Sequence, residues 1–231
     1  SNIAMQLLSD QPAEAAEYAE NALRIFIHEL GEDAPDTMEA HQLLAKIYVQ
    51  LGDPKNALQH YVAMEQYLLR CGIDNAQVET LMELNNTLGK LYHLAGDREQ
   101  AHRHYDRAYN LAMESGHIRN SQDTLCFHAQ IWVAYGELGQ AMNLLQHIID
   151  LQTEHRLADS TTLAYAYYNL ALLQFQQTGD SAAAMALIKK AIAIREPLVD
   201  NSDRALQEYK QSLATILLYS GETIPTTNNN S

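Results

Sequence analysis

The residues that could do chemistry in this 231-residue chain are ten histidines, two cysteines and an excess of carboxylates. Metal binding and proton transfer would each need such groups at fixed helical or turn spacings. Glu99, His102 and Asp106 fall three and four residues apart, so one helix face would carry all three. His104 points elsewhere, and a helix back of mixed charges reads as a solvated face. His28-Glu29-Leu30-Gly31-Glu32 is half of a zinc-protease helix; it lacks the second histidine, and Gly31 ends the helix. Cys71 and Cys126 have no paired-cysteine metal spacing and read as reduced packing residues in helices, as in a cytoplasmic protein. A glycine-rich phosphate loop and a nucleophile elbow are both missing. The residues define no catalytic site, no metal site and no cofactor, and the expected protein is not an enzyme.

The elements that would position any site are helices. AKIYVQLGDPKNALQHYVAM from Ala45 returns as GKLYHLAGDREQAHRHYDRA from Gly89 and AQIWVAYGELGQAMNLLQHI from Ala129. A fourth version, LALLQFQQTGDSAAAMALIKKAIAIRE, starts at Leu170. The turn glycines Gly52, Gly96, Gly136, Gly179 and Gly221 stand 44, 40, 43 and 42 residues apart. Ala57, Ala101, Ala141 and Ala184 follow the first four by five residues. A small residue, Ala45, Gly89, Ala129 or Ala214, precedes its glycine by seven; Ala171 precedes Gly179 by eight, one residue being inserted. Small residues let antiparallel helices approach closely, and glycine supplies the positive φ that ends the first helix. A period of this length predicts a solenoid of helix pairs, each packing on its neighbours.

Small-x7-Gly-x4-Ala resembles the tetratricopeptide repeat over nearly the whole chain. Repeats of about 42 residues, the loop from Leu30 to Thr37, and the runs Leu84-Asn85-Asn86-Thr87-Leu88-Gly89 and Asn169-Leu170-Ala171 resemble its kinesin-light-chain-like subclass. Ala34 departs from the histidine usual there. The resemblance implies an all-α, right-handed α-solenoid of about 10–11 antiparallel helices. One solenoid is expected over 1–222, with repeats near 1–31 (partial), 36–72, 75–116, 119–156 and 159–199. A capping helix at 201–220 follows, then a flexible polar tail at 223–231. Helix pairs are expected at 36–51 with 54–71, 75–95 with 98–115, 119–136 with 138–155, and 159–178 with 181–198, after a helix from Pro12 to Leu30. Asp36 with Glu39, and Asp97 with Gln100, have capping-box spacing; Asp53-Pro54 is a cap followed by a first-turn proline. Ile3 to Leu8 reads as the tail of a further helix, so a fragment of a longer protein is expected.

The family pattern also places first helices along a concave groove. It assigns to that face Glu39, Gln42, Lys46 and Val49, then Glu83, Asn86, Lys90 and His93. Asp123, Cys126, Gln130 and Val133 follow, then Tyr165, Tyr168, Leu172 and Phe175, with Glu208, Gln211, Thr215 and Leu218 on the last helix. The partner-binding residues expected are Gln42, Lys46, Asn86, Lys90, His93, Gln130, Tyr165, Tyr168, Asn169, Leu172 and Phe175. Lys46 and Lys90, each one turn after an amide, could hold the backbone or acidic side chains of a peptide, or pair with Glu39 and Glu83. The aromatic stripe from Tyr165 could anchor a partner or pack on the next helix. Asp123 and Phe127 occupy positions that are basic in relatives clamping a chaperone's terminal carboxylate, which argues against that use.

The expected function is a non-catalytic interaction module for an extended or helical segment of a partner protein. The alternative is a peptide- or ligand-responsive regulatory domain of a larger signalling or transcriptional protein. A formal charge of −14 argues against nucleic acid or an anionic membrane as main ligand, and no apolar run approaches a bilayer span. A homodimer through the solenoid ends is a further option.

Overall fold

The computed structural model describes residues 11–71 and 75–220. Among these are ten α-helices, one 3-10 turn and no strand. The helices are α1 (Pro12–Leu30), α2 (Pro35–Gln50), α3 (Pro54–Cys71), α4 (Asn75–Leu94), α5 (Arg98–Glu114), α6 (Ile118–Ala134), α7 (Leu138–Glu154), α8 (Thr161–Thr178), α9 (Ser181–Arg195) and α10 (Arg204–Ser220). The chain forms two compact units that divide between Thr124 and Leu125, inside α6. In unit 1 each of α1 to α5 packs on the next; in unit 2 so do α7 to α10. The helix tail expected at residues 3–8, Gly221 and the polar tail at 223–231 lie outside the described residues.

The turns inside the helix pairs repeat at atomic level. The Gly96 amide bonds His93 O at 3.0 Å and the Asp97 amide bonds Tyr92 O at 2.9 Å, with Gly96 at φ 82°. This is a Schellman closure, and the left-handed residue it needs is glycine. Asp97 then accepts from the Gln100 amide at 3.1 Å, so one residue closes a helix and caps the next. Gly52-Asp53 repeats both halves, with Asp53 accepting from the Asn56 amide at 3.1 Å. The residue inserted before Gly179 changes this: Gly179 N–H reaches back to Phe175 O alone, at 2.8 Å, and the Asp180 amide turns to Thr178 Oγ1 at 3.1 Å.

Three expectations are corrected. Asp36 is not a cap: α2 starts at Pro35, which needs no amide partner in a first turn, and Asp36 lies inside that turn. The helix expected to run to 198 ends at Arg195, because Pro197 cannot continue it, and Glu196–Leu198 forms the 3-10 turn. Cys126 is buried, but Cys71 is exposed at the end of α3 and is not a core residue.

The core is a series of seams between successive helices. Ala15, Ala16, Ala19 and Leu23 of α1 meet Ala40, Leu43, Leu44 and Ile47 of α2. Met64 and Leu68 of α3 meet Leu81, Leu84 and Leu88 of α4. In unit 2, Ala164, Tyr168 and Ala171 of α8 join Ala184, Met185, Ile188 and Ala191 of α9 and Tyr209 and Ile216 of α10. The periodic alanines Ala57, Ala101, Ala141 and Ala184 are all fully buried. Ala101→Leu is accordingly expected to cost about 1–3 kcal/mol in urea unfolding, since added methylenes force a close helix contact apart.

Candidate interaction surface

Unit 1 presents Gln42 and Lys46 on α2, and Lys90 on α4, as exposed side chains, with His93 half-buried one turn after Lys90. Among the described residues neither lysine is in an ion pair, although Glu39 and Glu83 are exposed on the same helices. Lys46 and Lys90 are therefore two hydrated cations at matched positions of successive pairs. Val49, half exposed, adds an apolar spot beside Lys46. Asn86 is tied down: its amide donates to Thr124 Oγ1 of α6 at 3.0 Å, while Oδ1 is buried without a partner. An unmatched buried acceptor carries a cost.

Unit 2 places Gln130 of α6 exposed, with Tyr165 and Asn169 of α8 half-buried. With Ala129, Val133 and Leu145 of α7 they line a pocket of about 140 Å³. An apolar cavity of about this size accommodates a benzene-sized group, so one medium apolar side chain fits. Gln130 hydrogen-bonds the Tyr165 hydroxyl, whose pKa burial nevertheless raises. The Asn169 amide donates to Tyr165 O of its own helix at 2.9 Å.

The aromatic stripe does not act as one surface. Tyr168 is only 5% exposed; its hydroxyl meets Ser212 Oγ at 2.9 Å and its ring stacks on Tyr209. Leu172 and Phe175 are half-buried against the same cluster. The physical reason is the helix crossing. The position three before the small residue points at the next first helix: Asn86 reaches Thr124 and Tyr168 reaches Ser212. Cys126, at the same position of its repeat, is buried. Tyr168 thus belongs to the core, and Tyr165 is the stripe's member in the pocket.

Sequence reasoning passed over a half-buried polar group of unit 1, His41, Tyr48 and His60, with a second at Asn85, Tyr92 and His104, of which Asn85 and His104 are buried. The signal was present, since Tyr48 and Tyr92, like His60 and His104, share the 44-residue spacing of Gly52 and Gly96. His28, from the incomplete zinc-protease motif, bonds its neighbour Glu29 at 2.7 Å.

Helix pairs closed by glycine and sealed by alanine, with polar and aromatic side chains on first helices, define an α-solenoid of the helical-repeat class. Residues 1–62 and 164–197 each match the tetratricopeptide repeat, so the chain carries tetratricopeptide repeats. Its fold is similar to BtubC (BKLC) from P. vanneervenii, with TM-score 0.69 and 20% identity over 93% of this chain and 85% of that one. It is also similar to the nearly identical TPR-like repeats of the kinesin-light-chain type from Podosopora anserina, with TM-score 0.67, 16% identity, and 85% and 93% covered. YrrB, a TPR protein with an unusual peptide-binding site, aligns at TM-score 0.53 and 20% identity over 92% and 90%. No curated protein sequence matches this one. The fold supports a role in protein interaction, and no described helix is long and apolar enough to cross a membrane.

Proposed function

We propose that this protein binds an extended or helical segment of a partner protein through the first-helix faces of its repeats, without catalysis. Gln42, Lys46, Asn86, Lys90 and His93 would meet the segment in unit 1. In unit 2, Gln130, Tyr165 and Asn169 would form a face of the same kind. The observation that carries this reading is Lys46 and Lys90, repeated at one register and held by no carboxylate of the described residues. A cation engaged by its own protein has little left for a ligand, whereas these retain all their donors. The pocket beside Tyr165 supports the reading by offering an apolar side chain a place next to polar groups, the usual make-up of a binding site. Tyr168 is left out because it is buried.

Selection of a displayed random-peptide library on the folded protein provides the ligand for a test. Lys46→Glu with Lys90→Glu, or Tyr165→Ala, is expected to weaken the selected peptides about tenfold or more in fluorescence anisotropy. That is the size expected for losing a hydrogen bond to a charged group. For the lysine pair the melting temperature should stay within about 2 °C, because exposed side chains carry little of the stability. Failure to select any binding peptide, or selected peptides indifferent to both variants, would overturn the reading.

A further inference from the structure

Two histidines stand at matched places in successive helix pairs of unit 1, apart from the interaction surface. His60 of α3 lies on Tyr48 of α2, with ring centroids 5.6 Å apart and planes at 7°. His104 of α5 lies on Tyr92 of α4 at 5.1 Å and 12°. The residue seven before each tyrosine takes the histidine's Nδ1: His41 Nδ1 at 2.9 Å from His60, and Asn85 Oδ1 at 2.9 Å from His104. A carboxylate of the preceding second helix completes each group. Glu20 of α1 accepts from the Tyr48 hydroxyl. Glu65 of α3 lies 3.7 Å from His104 Nδ1 and 2.9 Å from Arg107. One group therefore joins α1, α2 and α3, and the other α3, α4 and α5.

The geometry of the first group excludes two imidazolium rings. Of two ring nitrogens 2.9 Å apart, one donates its proton and the other accepts it. With both rings protonated, two N–H groups and two positive charges would face each other. In the second group His104 is 7% exposed, and Glu65, the nearby anion, is already engaged by Arg107. We propose that these two groups make unit 1 acid-sensitive, clasping its successive helix pairs while the histidines are neutral and loosening them as the pH turns mildly acid.

The charge environment agrees in sign. Burial, then His41, holds the pKa of His60 down to about 4; burial, then Arg107 and Arg103, does the same for His104. Burial also lowers His41, against the opposing charge of Glu32. An exposed histidine takes its proton near ~6.5. The clasped state binds fewer protons than the open one between that pH and about 4, so its stability is complete above the window and falls on acidification through it. Opposing groups reduce the effect: Glu20 favours a charged His60, and burial raises Glu65, which takes up protons in the folded state. Asp53 and Asp97 face Tyr48 and Tyr92, whose pKa values are raised and which stay neutral throughout.

Hydrogen exchange on the full chain tests this, with α8 to α10 as internal reference because residues 159–220 contain no histidine. Between pH 7.5 and 5.0, protection in α2 to α5, corrected for intrinsic rates, is expected to fall about tenfold or more relative to α8 to α10. The His60→Gln, His104→Gln variant should show no such relative fall. Equal loss in both regions, or an undiminished fall in the variant, would overturn the proposal. Should the variant not fold, ring titration by NMR in the unaltered protein decides: midpoints below about 5 support the proposal and midpoints near ~6.5 refute it.

Discussion

Tyr209→Ala is expected to destabilise the protein by about 3–5 kcal/mol, the range for removing a buried aromatic ring. Tyr209 is 2% exposed and stacks on Tyr168 with ring centroids 4.1 Å apart and planes at 22°. The Arg195 guanidinium carbon lies 5.7 Å from its ring centre, and Arg195 also donates to Asp203 at 2.7 and 3.0 Å. Asp203 in turn accepts from the Leu206 amide at 2.7 Å and starts α10. Ring, guanidinium and cap form one support for the last helix. Truncation leaves a cavity facing Tyr168 that rigid neighbours on α8 and α9 cannot close. Tyr209→Phe keeps the ring and is expected to cost less than about 1 kcal/mol, because the buried hydroxyl it removes has no hydrogen-bond partner among the described residues. Urea unfolding of both variants is the check. A Tyr209→Ala loss as small as that of Tyr209→Phe would show that the stack does not hold α10.

Gly89→Leu is expected to cost about 3 kcal/mol, at the upper end of what overpacking imposes. A β-carbon at Gly89 would stand 2.8 Å from Tyr105 Cε2 and 3.0 Å from Cδ2 and Cζ. Tyr105 is 2% exposed, so its ring has nowhere to go and α4 must move from α5. Gly89→Ala sets two effects against each other. The helix gains about 1 kcal/mol from losing a glycine, and the clash takes about 1–3 kcal/mol, leaving a net loss of at most about 2 kcal/mol. Tyr105→Ala should remove the clash, so the double variant with Gly89→Leu should lose clearly less than the two single losses added. Strict additivity in that cycle would mean that the leucine is accommodated elsewhere.

The helix pairs and their turns were legible in the sequence because the forces that set them are local. A left-handed residue after the first helix selects glycine, an aspartate next to it can bond the following amides, and a close crossing admits only a small side chain. Each leaves a mark at a fixed offset, and α2 through α8 start and end within two residues of the expected positions. The C-terminal end of α9 and the start of α10 were read less well. Pro197 stops one, while the other depends on Arg195 holding Asp203 across a turn of the chain.

The side chains available to a partner were only half legible. Periodicity puts Tyr165 and Tyr168 on one face of α8, and Gln42 and Lys46 on one face of α2. It does not say which edge of that face meets the next helix, because the edge is set by the crossing of two helices rather than by the spacing within one. Lys46 and Lys90 kept their place on the surface, while Tyr168 went to the core and Asn86 to Thr124. The His41–His60 contact was invisible for the same reason, since its partners lie 19 residues apart on different helices. Spacing along the chain, acting through φ angles and contact radii, determined the repeat and its turns. Tertiary packing alone, by choosing which residues of each helix meet the neighbouring one, decided which polar groups are buried and which remain free to bind.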